Sequence, residues 1–195
     1  MNKIVLWCLI GFGIMLVVGL GLGGLTGVDL GVAPWILGGL LGAFVAYIGG
    51  NLAGNRKVAT ASTEARDKAL AFDALPGHAL LIVYREGFVG MAAGMNVMLD
   101  GQMAAQLKSP RFTALNLAEG DHTVSFGFGG LAGAQNNAAE VKVPAVAGQV
   151  IALKAAMAMG ALKNTITVEW VEAYPSELRE RLKSMKMVAA DQAAG

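Results

Sequence analysis

The sequence predicts a membrane-embedded α-helical hairpin followed by an all-β, immunoglobulin-like sandwich with a C-terminal helix. Three observations point to it. Residues 1–54 contain two charged side chains, Lys3 and Asp29, although 15% of the 195 residues are charged. From His78 onward, short apolar runs alternate with period two between turn residues. After Pro175 a helical spacing returns, with Leu178, Leu182 and Met185 on one narrow apolar stripe.

The first two elements are membrane helices, over residues 4–25 and 33–54. Each uncharged run exceeds the roughly 20 residues that cross a bilayer core. Residues 25–32 form a tight turn at the interface, and Pro34 stands near the start of the second helix, where its missing N–H does least harm. Trp35 and Tyr47 are amphipathic rings suited to the headgroup level. A cleaved secretory signal would need a shorter apolar run and a small-residue cleavage site. A lipobox would need a small residue before Cys8, where Trp7 stands. Lys3 flanks one end and Arg56 and Lys57 the other, against Asp29 alone at the tip. The positive-inside rule then places both ends in the cytoplasm, in a bacterial inner membrane crossed twice.

Every fourth position forms a stripe that is small except at Met15: Gly11, Met15, Gly19, Gly23 and Gly27, then Gly38, Gly42, Ala46, Gly50 and Gly54. In lipid, such stripes allow close backbone approach where hydrophobic drive is weak. They either pack the hairpin on itself or face another copy or subunit.

Residues 55–76 follow as a charged connector, rich in Ala, Lys, Arg and Glu up to the break at Pro76-Gly77. These residues favour a helix continuing out of the membrane, the other reading being a flexible tether. A β-sandwich domain occupies 77–173. Eight strands are expected, over 79–85, 95–99, 102–107, 111–117, 122–128, 138–143, 149–156 and 163–171. Asp100-Gly101 marks a hairpin turn, since both residues accept positive φ. The spacing suits an immunoglobulin-like sandwich, without the disulfide core of antibody domains. Residues 174–195 complete the chain as a helix over 176–188, with an i,i+4 pair between Glu177 and Arg181, and a frayed tail.

Several pieces of 79–126 form a pattern: Leu81-Ile82-Val83-Tyr84-Arg85, then Val97-Met98-Leu99-Asp100-Gly101, Leu107, Phe112, and Leu117-Ala118-Glu119-Gly120-Asp121-His122-Thr123-Val124. This resembles the bacterial domain-of-unknown-function family 2846, and more loosely PEGA-type sandwiches. They share a strand ending in Tyr-Arg, an Asp-Gly hairpin and a Pro-Gly-x-His turn. Here Glu119 stands at the proline position. The match covers about a quarter of the chain. The resemblance implies a fold and no reaction.

Composition and motifs exclude several chemistries. Fifteen Lys and Arg against 14 Asp and Glu leave a net charge of +1, too little field to gather nucleic acid. A single cysteine excludes an internal disulfide and a Cys-cluster zinc site. His78 and His122 fit no metal spacing, and no carboxylate pair stands near either in sequence. Asp100, Glu119 and Asp121 are expected to bond the backbone of their own turns, not to form a catalytic dyad. No serine has a nucleophile-elbow context. The Gly127–Gly133 stretch lacks the Lys-Ser/Thr of a phosphate loop and reads as a flexible hairpin loop. No catalytic residue, metal or cofactor is expected.

What remains is a cluster of loops. If successive strands alternate in direction, residues 86–94, 108–110, 129–137 and 157–162 gather at one end, far from where the chain enters. They bring Phe88, Val89, Met91, Leu131, Met157, Met159 and Leu162 together. Apolar, Met-rich clusters mark contact sites, or else fold over an open end of the core. The sequence therefore predicts a non-catalytic membrane-anchored scaffold. Its expected partners are membrane lipid and either further copies of itself or other subunits of a bacterial membrane complex. The second reading is a tethered sandwich that takes an apolar or lipid-like ligand at the loop end.

Overall fold

The computed structural model describes residues 2–26, 31–161, 163–172 and 175–191. Two compact units are present: Met1–Gly54 with Gly130–Ala132, and Asn55–Gly129 with Gly133–Gly195.

In the first unit, α1 spans Lys3–Thr26 and α2 spans Ala33–Leu52. Both are long and apolar enough to cross a membrane. Twenty residues of helix rise about 30 Å, the thickness of a bilayer's hydrocarbon core. Leu9, Phe12, Val17 and Leu20 on α1, and Ile36, Leu40 and Phe44 on α2, point outward and exposed.

The helices cross antiparallel on their small residues. A Cβ on Gly42 would collide with the Gly11 carbonyl oxygen, and one on Gly11 with the Gly42 carbonyl oxygen. A Cβ on Gly38 would lie 2.7 Å from the Met15 carbonyl oxygen, and the space beside Gly11 also holds the Ala46 side chain. On either side of this crossing the Trp35 ring covers Gly19 and the Trp7 ring covers Gly49. Much of both stripes is thus used within the hairpin. Gly54 lies beyond the end of α2. Gly27 is outside the described residues, and of Gly23 only its place in α1 is described.

The second unit does not begin with the expected continuous helix. Residues 55–61 run extended: Thr60 forms a β-bridge with Val188, Ala61 N donates to the Met187 carbonyl, and Ala189 N donates to the Ala59 carbonyl. Val58 packs on the core. β-Branched Val58 and Thr60 suit a strand, and Ser62 then starts a new helix by accepting from Ala65 N at 3.1 Å. That helix, α3, is Thr63–Ala71, and it ends where Phe72 turns left-handed with φ 60°.

Among the described residues ten strands follow: β1 His78–Arg85, β2 Met95–Leu99, β3 Gln102–Leu107, β4 Arg111–Ala118, β5 Gly120–Phe128, β6 Asn136–Asn137, β7 Ala139–Ala145, β8 Val150–Ala158, β9 Asn164–Trp170 and β10 Lys186–Met187. They form two sheets, ordered β10-β4-β1-β8-β9-β6 and β3-β2-β5-β7. The domain is mostly β with two sheets. All eight expected strands are present. The connection after β5 is not only a loop: it holds a short helix, α4 Gly130–Gln135, and β6.

β1 explains the layering. Its alternation sends Ala79, Leu81 and Val83 into the core shared with Met95, Val97, Val124 and Phe126. Leu80, Ile82 and Tyr84 face the other way, into a second core with Ala69 and Leu70 of α3. Leu178 and Leu182 of the last helix, α5 Pro175–Lys183, complete that second core. The strand is therefore buried on both faces, and it pairs antiparallel with β4 and parallel with β8.

The end of the chain also departs from expectation. The expected helix over 176–188 stops at Lys183, and β10 then pairs with β4. Val188 N donates to the Phe112 carbonyl at 2.8 Å, and Thr113 Oγ1 donates to the Val188 carbonyl at 3.1 Å. Covering the β4 edge satisfies backbone groups that a longer helix would leave bare. Arg181 pairs with Glu86 at 3.1 Å in place of the expected Glu177. Residues 189–191 are tied down as well, since Asp191 N donates to the Ala104 carbonyl and its carboxylate holds Arg56 at 2.8 Å. Residues 192–195, the rest of the expected frayed tail, lie outside the described residues.

Candidate functional site

The connections over 86–94, 108–110 and 157–162 meet near Arg85, which the sequence reading named only as the last residue of a strand. The alternation that turns Leu81 and Val83 inward also turns Arg85 inward, at the last position of β1. Its side chain is 1% exposed. Nη1 donates to the carbonyls of Ala93 and, at 2.9 Å, Leu107. Nη2 donates to the Gly90 carbonyl at 2.8 Å and to the Met157 sulfur at 3.7 Å. The guanidinium lies 5.1 Å from the centroid of the Phe128 ring.

One side chain therefore joins the ends of β1, β3, β5 and β8 to the β1–β2 connection. Burial lowers the Arg85 pKa to about 10, which leaves it charged at neutral pH. Carbonyl dipoles and an aromatic face, in place of a carboxylate, offset the lost hydration. The signal was present in the sequence as an Arg on the inward phase of an apolar strand.

The β1–β2 connection is held at several points. Gly87 and Gly90 take φ of 106° and 62°, conformations open to glycine. Ser109 N donates to the Met91 carbonyl at 3.2 Å, linking this connection to the one after β3. Asn55 Nδ2 donates to the Ala92 carbonyl at 3.0 Å, and Asn55 Oδ1 accepts from Gly94 N at 2.6 Å. Gln106 accepts from Arg56 N at 2.7 Å and donates to Asn96 Oδ1 at 2.7 Å.

The expected contact residues divide into two groups. Phe88 is 85% exposed and Met159 80%, and Met91 is exposed to 40%. Met157 is half-buried on the core and against Arg85, and Val89 is half-buried. Leu131 belongs to the helical unit, where its side chain lies over Gly50. Leu162 lies outside the described residues. Part of the cluster thus closes the end of the core, and part stands free on a braced surface.

This end is also where the chain enters the unit, through Asn55. The expectation that the loops lie at the far end is corrected. The entering segment is extended and runs past the loop end before reaching α3 and β1.

The opposite end holds a second polar arrangement. His122 Nδ1 lies 2.7 Å from Asp100 Oδ2, and Nε2 lies 2.9 Å from the Ala118 carbonyl. Asp100 Oδ1 accepts from Thr123 N at 2.7 Å. β2–β5 pairing brings Asp100 to His122 although the two are 22 residues apart in the sequence. The Asp100 hydrogen bond raises the His122 pKa above its usual value, against the opposing effect of burial. Burial alone would push the Asp100 carboxyl up, but Thr123 N and His122 outweigh it and hold the pKa low. Both ring nitrogens face acceptors, an arrangement that favours a charged clasp over proton shuttling. His78 instead sets one ring nitrogen 3.0 Å from the Pro76 carbonyl.

A cleft of about 320 Å³ opens on the α5 side of the large sheet, lined among others by Tyr84, Lys154, Glu169, Trp170 and Arg181. Within its lining Lys154 pairs with Glu169, and Arg181 pairs with Glu86, each at 3.1 Å. Among the described residues, no three His, Cys, Asp or Glu side chains gather as a metal site. No family model matches this chain, and no curated protein matches it.

Proposed function

We propose that this chain is a non-catalytic, membrane-anchored scaffold that assembles with itself or with other membrane subunits. One observation carries the reading. After α1 and α2 have packed on Gly11, Gly38 and Gly42, an apolar groove of about 180 Å³ remains beside the crossing, lined by Cys8, Phe12, Gly39 and Ala43 among others. Close helix packing in lipid needs such small-residue surfaces, and this one is open to a further helix. The braced loop end, with Phe88 and Met159 exposed, supports a second contact surface on the same chain.

Two finer points belong to the same reading. The immunoglobulin-like or PEGA-like character of the β unit is supported by its two sheets around one core and by the Asp100-Gly101 turn beside His122. A bacterial inner-membrane location, with the β unit cytoplasmic, is supported by Lys3, Arg56 and Lys57 flanking the two apolar helices. The second reading, an apolar or lipid-like ligand held at the loop end, is favoured by the Met157, Met159 and Phe88 side chains there.

Native mass spectrometry of the full chain in mild detergent tests the proposal. A homo-oligomer, weakened when Ala43→Phe fills the groove, is the expected result. A monomer that carries bound small apolar molecules supports the second reading instead. A bare monomer at all concentrations overturns self-assembly.

A further inference from the structure

Chain connectivity decides which end of the β unit directly follows the second apolar helix. α2 ends at Leu52, and Asn55 is the first residue of the β unit. Three residues of extended chain reach at most about 10 Å. Asn55 is itself bound on both sides of its amide to Ala92 and Gly94. The loop end is therefore the part of the β unit that follows α2 directly in the chain.

The two ends of the β unit differ in charge. Asp100, Glu119 and Asp121 mark the turn end. The loop end carries Arg56, Lys57, Lys108 and Lys163. Asp191 pairs with Arg56 at 2.8 Å and Glu86 with Arg181 at 3.1 Å. Exposed Phe88 and Met159 stand on connections that meet where Gly90 packs against Met157. Arg85 braces the connection that carries Phe88 through the Gly90 and Ala93 carbonyls.

Apolar tips within a basic surround match the chemistry of an anionic lipid interface. Rings and thioethers enter the headgroup layer while lysines meet phosphate. We infer, on the reading of α1 and α2 as membrane-spanning, that the loop end rests on the bilayer. Phe88 and Met159 insert among the headgroups, and Lys57, Lys108 and Lys163 face anionic phosphate.

The test uses the full chain in vesicles of phosphatidylcholine, with and without phosphatidylglycerol, and with brominated lipid as quencher. An environment-sensitive label is placed on Phe88→Cys, Met159→Cys or Asp121→Cys in a Cys8→Ser background, or on Cys8 itself. Labels at 88 and 159 are expected to shift to the blue and lose emission to brominated lipid, more so with anionic lipid, while the label at 121 does neither. Lys108→Glu with Lys163→Glu is expected to remove the anionic enhancement. If 88 and 159 respond no more than 121 while Cys8 is quenched, the hairpin is in the membrane and the loop end is not, which overturns the inference. A blue shift at 88 without quenching places it against a second copy and overturns it equally. No quenching at Cys8 overturns the membrane-spanning reading itself.

Discussion

His122 and Asp100 close a clasp across neighbouring strands, with Nδ1 2.7 Å from Oδ2. The Asp100-Gly101 turn, with Asp100 at φ 49°, presents its carboxylate to β5, the strand that begins at Gly120. Two turns far apart in sequence thereby become one structure.

That clasp makes stability depend on pH. The His122 pKa is raised on folding, so its contribution is complete below the ordinary histidine value of about 6.5 and fades as pH rises through the folded value. The Asp100 pKa is lowered, so its contribution holds above the ordinary value near 4 and fades as pH falls through the folded value. The melting temperature of the β unit is expected to be highest between these limits. His122→Ala should flatten the alkaline decline, as followed by circular dichroism across pH. An unchanged slope in that variant would dismiss the clasp as a pH-linked contact.

Arg85→Met should destabilise the β unit by about 3 kcal/mol or more, because three carbonyls would lose a charged donor in a buried site. Arg85→Lys should recover only part, since a single ammonium cannot reproduce the fork. Denaturant titration measures the loss. Faster hydrogen exchange at Met91, Ala93 and Ser109 would trace it to the braced connections.

Gly42→Ala should loosen the hairpin at a cost on the order of 1–3 kcal/mol, because its methyl meets the Gly11 carbonyl. Gly13→Ala, with open space around it, is the matched control. Disulfide trapping between cysteines placed on α1 and α2 reads the separation. Equal trapping in both variants would remove the glycine crossing as the reason the helices meet.

Asn55→Ala should cost about 1–2 kcal/mol and free the β1–β2 connection, since it removes partners from Ala92 and Gly94. Limited proteolysis between residues 86 and 94 is expected to accelerate. Leu182→Ala, deep in the second core, should cost about 2–5 kcal/mol without that local cleavage.

Periodicity made much of this fold legible. The uncharged runs marked both long helices, and the period-two runs marked all eight main strands. The inward phase of β1 also placed Arg85 inside, had the charge been followed along with Leu81 and Val83. Alternating strand direction gathered the loops of Phe88, Met91 and Met159 at one end, because direction and side-chain phase are local properties of a strand.

Only the tertiary structure decided which segments pair. Residues 55–61 left a helix-favouring composition to run extended, because the 187–189 segment offers hydrogen-bond partners. The expected last helix stops at Lys183 for the matching reason, an uncovered β4 edge. These choices moved the chain's entry to the loop end and joined Asp100 to His122. Each depends on partners tens of residues away, and a hydrogen bond between distant backbones leaves no period in the sequence of either.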